Sequence, residues 1–146
     1  MECLIDHIAF NVEDDEKMIT FYAQVLLFET ERLEEYRRGE VPFPSVRLNA
    51  DTIIDLFPKK MWQKNSGTDQ NHGRFNHFCI VLTKKVWENL LERLQANTIV
   101  IEEGPVPRWG AHGTGISIYF RDPESNLIEA RYYEGHNSSE KCLLGS

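Results

Sequence analysis

ISIYFRDPESNLIEARYY, residues Ile116–Tyr133, reads as a strand, a tight turn and a returning strand. Ile116, Ile118 and Phe120 alternate with Ser117, Tyr119 and Arg121, the period of two expected when one sheet face meets a core. Asp122-Pro123-Glu124-Ser125-Asn126 supplies the turn, because Pro fixes φ and Asp and Asn bond their own backbone. On the return, Leu127, Glu129, Arg131 and Tyr133 share one face, and Ile128, Ala130 and Tyr132 share the other. A mid-strand carboxylate is unfavourable unless solvated, paired or bound to a cation. Glu129 therefore needs a partner.

Working outward, the same order of elements occurs twice. Leu4 to Val12 predicts a strand with Phe10 and Val12 on one face and His7 on the other, and Glu13 to Phe28 an amphipathic helix with an acidic start. Phe28 to Leu33 reads as a strand, and Glu34 to Pro44 as a charged, irregular segment broken by Gly39, Pro42 and Pro44. SVRLNA and TIIDLF, turning at Asn49–Asp51, complete a first module. Pro58 to Arg74 is polar and turn-rich and reads as a surface linker. The pattern then restarts with the strand FNHFCIVL from Phe75, a helix from Lys84 to Gln95 and a β-branched strand from Thr98 to Glu102. A Pro- and Gly-rich loop from Gly104 to Gly115 leads into the closing hairpin. His7 and His77 hold matching places 70 residues apart, and Asp55 and Glu129 hold matching places 74 apart. A duplication that returns a His and a carboxylate together is harder to reach by chance than any one of them.

A single strand His is more often a hydrogen-bonded core or surface residue than a ligand. Two imidazoles with one or two carboxylates are a set of nitrogen and oxygen donors that borderline divalent metals prefer. His72 and His136 lie in polar segments and read as surface residues.

The 146 residues, 41% hydrophobic, suit one globular domain. The expected organisation is a single domain over 1–133, with module one at 1–58, a linker at 59–73 and module two at 74–133, followed by a flexible tail at 134–146. No apolar run of membrane-spanning length and no signal-peptide pattern is present, so a cytoplasmic protein is expected. Cys3, Cys79 and Cys142 form no CxxC pair, which disfavours a disulfide scaffold or thiolate zinc site. Cys79 reads as a small core or cavity-lining residue. A formal charge of −7 disfavours nucleic acid as a partner and leaves a small molecule or a protein.

DHIAFNV with the following FYAQVLLFE, FNHFCIVL, GPVPRWGAHGTG and YFRDPESNLIEARYY together resemble the vicinal oxygen chelate superfamily, which includes glyoxalase I, extradiol dioxygenases, fosfomycin-resistance enzymes and bleomycin-binding proteins. The resemblance runs from about residue 4 to 133, is most specific in the closing DPxxNxxE strand, and is nearest to small single-domain glyoxalase-like proteins. It implies an α+β fold of two βαβββ modules whose incompletely closed, curved sheet surrounds a metal and substrate cup. It makes His7, His77 and Glu129 metal ligands and places Asp55 where glyoxalase I has its fourth, a Glu. It departs from the family at Leu27, where Gly is usual, and in the shorter side chain of Asp55.

The resemblance further implies a divalent ion (Zn, Ni, Mn, Co or Fe(II)), a small substrate with adjacent oxygens, and a homodimer that can share its sites between chains. In a glyoxalase-like enzyme Glu129 is the candidate base and Asp55 the second. Arg47, Arg108, Ser117, Tyr119 and Arg131 are cavity candidates: Tyr119 is placed with the catalytic residues, and Arg108 and Arg131 would hold an anionic group unless Arg131 simply pairs with an acid. An Fe(II) extradiol-type dioxygenase is the alternative enzyme, with His7, His77 and Glu129 as its triad and His112 as acid/base. A metal-free, bleomycin-resistance-like binding protein is the alternative from another class, for which Trp62, Trp109 and the acidic charge would serve.

Overall fold

A computed structural model describes residues 5, 7–63, 75, 77–110 and 112–135. The chain divides into two compact units, Met1–His72 and Gly73–Ser146. Each carries a four-stranded mixed sheet that is not closed into a barrel, with helices, so the fold is α+β.

The first unit contains β1 (His7–Asn11), α1 (Asp15–Thr20), β2 (Glu29–Glu31), α2 (Leu33–Arg37), β3 (Ser45–Arg47), β4 (Ile53–Phe57) and the turn of helix α3 (Lys59–Trp62). Its strand order is β1-β4-β3-β2, with β1 parallel to β4 and the rest antiparallel. Asp14 caps α1 by accepting from the Lys17 N–H at 3.0 Å, as its short carboxylate and the acidic first turn suit. The helix continues as a π-helical turn over Phe21–Val25. Met18, Phe21, Tyr22 and Val25 are buried with Val46, Ile54 and Leu56 of the sheet.

Two expectations for this unit are corrected. The charged segment after Leu33 is not irregular throughout: α2 forms because Tyr36 donates to Asp15 and Arg37 pairs with Glu16, which tethers it to α1. The stretch after Pro58 likewise begins with α3, whose Trp62 indole donates to the Val12 carbonyl at 3.1 Å.

The second unit contains β5 (His77–Val81), α4 (Lys84–Ala96), β6 (Glu103–Gly110), β7 (Gly113–Arg121) and β8 (Leu127–Tyr132), in the order β5-β8-β7-β6. Again the first strand is parallel to the last and the others are antiparallel. The β7–β8 hairpin has the expected faces: Ile118, Phe120, Ile128 and Ala130 are fully buried. Helix α4 covers that face, since the Trp87 indole donates to the Ala130 carbonyl at 2.9 Å and its ring meets Tyr132 edge-on. Asp122 closes the turn, its carboxylate accepting the Glu124 and Asn126 backbone N–H groups at 2.9 and 3.0 Å.

The strand expected at Thr98–Glu102 lies instead at Glu103–Gly110, inside the expected loop. Thr98 takes a left-handed φ of 58° and Ile99 N–H bonds back to the Leu94 carbonyl, so the helix C-cap wins over β-branched propensity. Pro105 and Pro107 fit in β6 because it is an edge strand. His7 and His77 lie on the edge strands β1 and β5, whereas the carboxylate-bearing β4 and β8 are internal. The tail after residue 135, His72, His136, Cys3, Cys142 and most of the expected linker lie outside the described residues. Among the described residues no helix is long and apolar enough to cross a membrane.

Candidate functional site

In the second unit, Glu129 sits on internal strand β8, facing Cys79 of β5 on one side and Tyr119 of β7 on the other. Its side chain is buried, with only 4% of its surface exposed. Ser117 donates to Glu129 Oε1 at 2.6 Å, and the Arg131 guanidinium donates to the same oxygen. The other oxygen, Oε2, stands 3.0 Å from His77 Nε2. Alternation explains the meeting: Ser117, Tyr119, Glu129 and Arg131 all point away from the face that α4 covers. His77 precedes Cys79 by two residues and lies on that same face.

Burial alone would raise the Glu129 pKa. The hydrogen bonds from Ser117 and Arg131, the Arg131 charge and the His77 contact outweigh burial and hold the carboxyl below the ordinary glutamate range. Burial pulls the Arg131 guanidinium the other way, but its bonds to Glu129 and Tyr133 raise it, so the pair is charged on both sides. Tyr119 lies beside His77, with ring centroids 5.9 Å apart and edge-on, and the Arg108 guanidinium lies 6.0 Å from the Tyr119 ring centre. Burial and the Glu129 charge raise the Tyr119 phenol above its usual value, so it is a neutral donor near pH 7.

In the first unit, Asp55 is 7% exposed on internal strand β4, and Ser45 donates to its Oδ1 at 2.6 Å. The parallel pairing sets His7 opposite Ile53 and Ala9 opposite Asp55, just as His77 faces Leu127 and Cys79 faces Glu129. Each unit thus holds a His and a carboxylate on one sheet face, in the same register. Among the described residues no Lys, Arg or His forms an ion pair with Asp55, whereas Glu129 has Arg131. His7 is exposed.

The other candidate residues have protein partners of their own. Ser117 and Arg131, read as substrate-binding unless Arg131 simply pairs with an acid, both bond Glu129, and Arg131 is 4% exposed and Ser117 fully buried. Arg47 pairs with Glu31 and donates to the carbonyls of Asn49 and Ala50, which makes it a clamp on the β3–β4 turn. Arg108 is half-exposed beside Tyr119 and pairs with Glu103 at the strand edge. His112 is drawn to Tyr133: its backbone N–H donates to the Tyr133 hydroxyl at 3.2 Å and the two rings meet edge-on. Cys79 reaches the surface instead of the core, although surrounding protein and the Glu129 charge push its thiol up to about 11. Sequence reasoning passed over Ser45 and Tyr133. The alternation that placed Ser117 beside Glu129 also sets Ser45 opposite Asp55, so that signal was present.

Donor types and spacing in the second unit fit a divalent ion. Two cis ligands at bond lengths near 2.1 Å stand about 3 Å apart, which matches the 3.0 Å between His77 Nε2 and Glu129 Oε2. Oε1 is already taken by Ser117 and Arg131, the kind of outer contact that orients a ligating carboxylate. Two donors do not complete a site, and among the described residues no three His, Cys, Asp or Glu converge.

Comparison with known proteins agrees with this architecture. The family model described as the Glyoxalase/Bleomycin resistance protein/Dioxygenase superfamily matches residues 4–130. "Virulence protein STM3117" of Salmonella typhimurium is 33% identical over 129 residues, covering 88% of this chain and 83% of that protein. Its crystal structure superposes with a TM-score of 0.70, covering 91% of this chain and 98% of that one at 27% identity. "Glyoxalase domain-containing protein RDO1" of Mycosarcoma maydis is 30% identical over 132 residues, covering 89% of this chain and 68% of that protein. A lactoylglutathione lyase from Agrobacterium tumefaciens shares the fold at 21% identity, with a TM-score of 0.61 and coverage of 90% and 94%.

Proposed function

Because this chain belongs to the glyoxalase/bleomycin resistance protein/dioxygenase superfamily, we propose that it is a divalent-metal-dependent, glyoxalase-like enzyme of lyase or isomerase type. Its substrate is a small molecule with two adjacent oxygens. The observation that carries this reading is the Glu129 carboxylate, anionic and fixed through Oε1, with Oε2 beside His77 Nε2. His77 and Glu129 are the candidate ligands of the second unit, and His7 and Asp55 those of the first. When bound, a divalent ion supplies Lewis-acid polarisation of the two substrate oxygens.

The chain's own residues do the rest. A carboxylate moves the proton between the neighbouring carbons. Of the two candidates, Asp55 is favoured, because Glu129 is committed to Arg131 while Asp55 meets only the neutral Ser45 hydroxyl among the described residues. Tyr119, a neutral phenol against His77, donates to substrate oxygen, and Arg108 beside it holds an anionic substituent. The active form is proposed to be a cytoplasmic homodimer, since each sheet ends in edge strands and twofold pairing is the commonest way to cover such edges.

The extradiol dioxygenase reading needs His112 as acid/base, and the His112 ring meets the Tyr133 ring edge-on; it stands as the alternative enzyme. The metal-free binding reading relies on Trp62, Trp109 and the acidic charge, and the Trp62 indole is tied to the Val12 carbonyl.

Asp55→Asn tests the proposal. On a panel of 1,2-dicarbonyl thiol adducts and catechols, turnover should be found with the adducts and should fall at least 100-fold in Asp55→Asn. Turnover of catechols with oxygen uptake, unchanged in Asp55→Asn, would replace the reading with the dioxygenase one.

A further inference from the structure

Burying an arginine inside a sheet face is unfavourable unless its charge is paired. Arg131 is buried on β8 two residues beyond Glu129. Besides Glu129 Oε1, it donates to the Tyr133 hydroxyl and to the backbone carbonyl of Arg108, each at 3.3 Å. The Tyr133 hydroxyl in turn accepts the His112 backbone N–H at 3.2 Å. Tyr133 reaches that place because β7 has a glycine beneath it: a Cβ on Gly115 would stand 3.2 Å from Tyr133 Cδ1 and 2.8 Å from the Tyr132 carbonyl oxygen. One connected set of contacts therefore runs from the Glu129 carboxylate through Arg131 and Tyr133 to the β6–β7 hairpin, at Arg108 on β6 and at His112 in the turn.

The duplication supplies an internal comparison. Two residues beyond Asp55 on β4 stands Phe57, which pairs with Asn11 as Arg131 pairs with Val81. The first unit thus repeats the His, the carboxylate and a serine donor but not the guanidinium. A feature present in one half only is not a requirement of the βαβββ fold.

We propose that Arg131, acting with Tyr133, is a positioning residue: it fixes Glu129 Oε1 so that Oε2 faces His77, and it couples that carboxylate to the β6–β7 hairpin that carries Arg108 and His112. A ligand engaging the hairpin is thereby felt at Glu129. This rests on Glu129 as the metal-holding carboxylate, and the coupling itself is testable without any metal.

The test uses the full chain as wild type, Tyr133→Phe, Arg131→Lys and Arg131→Met, with folding checked by circular dichroism. Two readouts are taken. In metal-free protein, amide hydrogen exchange at His112 should rise about 10-fold in Arg131→Met, although Arg131 does not touch that amide, and Arg131→Lys should restore part of the protection. With Co(II) as probe, Tyr133→Phe should weaken binding about 10-fold and shift the visible absorption bands, although Tyr133 touches neither His77 nor Glu129. If Arg131→Met does not fold, Arg131→Lys carries the exchange measurement. Unchanged His112 exchange in the folded Arg131 variant, or unchanged Co(II) affinity and spectrum in Tyr133→Phe, would overturn the coupling. Absence of Co(II) binding in wild type would instead remove the metal reading, and the exchange measurement alone would then decide the positioning role.

Discussion

Glu129→Gln keeps the shape of the side chain and removes its charge, leaving Arg131 buried beside a neutral amide. Both partners are nearly sealed from water, with 5% and 4% of their side-chain surface exposed, so the screening that makes surface pairs weak does not apply. Breaking a buried pair by removing one partner destabilises by about 3–5 kcal/mol. For a chain of this size that corresponds to a fall in Tm of roughly 10 °C. Urea denaturation at pH 7 measures it, and Glu129→Gln combined with Arg131→Met should recover about 2–3 kcal/mol, since no unpaired charge then remains. The pH dependence has a definite sign. The folded pKa of Glu129 lies below its unfolded value near 4.5, so its stabilisation is fully present above that value and is lost as pH falls through the lower folded one. Wild type should therefore lose stability on acidification more steeply than Glu129→Gln. A loss under about 1 kcal/mol at pH 7, with no recovery in the double variant, would refute the buried-pair reasoning.

Other outcomes follow from backbone geometry and from assembly. Leu27 is 59% exposed at a left-handed φ of 59°, so Leu27→Gly should raise stability by about 0.5–1 kcal/mol in the same denaturation assay. Gly104→Ala should destabilise by at least about 2 kcal/mol, because φ is +104° and the new Cβ would lie 2.3 Å from the Ser117 carbonyl oxygen; it should also disturb Co(II) binding, since Ser117 orients Glu129. If sites are shared across a dimer, mixing His7→Ala with Glu129→Ala protein should restore about a quarter of wild-type sites, and sedimentation as a metal-binding monomer would rule that arrangement out.

The closing hairpin was legible because period-two alternation, a Pro-containing turn and sheet burial all point the same way: Ile118, Phe120, Ile128 and Ala130 are buried as the pattern requires. The His77–Glu129 contact was legible through the duplication, which set His77 beside a carboxylate that its own strand already marks as needing a partner. What failed did so for local reasons. Thr98–Glu102 has strand propensity, but the C-cap of α4 claims Thr98 and Ile99; Pro105 and Pro107 suggested a loop, yet an edge strand has no need of every N–H. α2 depends on Asp15 and Glu16, residues of another helix, which a window of sequence does not contain. Alternation put Ser117 and Arg131 on the face of Glu129, and of the two readings of Arg131 the pairing with an acid is the one that Glu129 meets.

Elemental analysis of protein purified without chelators tests whether His77 and Glu129 hold a divalent ion. Wild type should carry about one divalent ion per site, and His77→Ala and Glu129→Ala, checked for folding, should each lose nearly all of it, because each removes a first ligand. Equal metal content in wild type and both variants would contradict the claim.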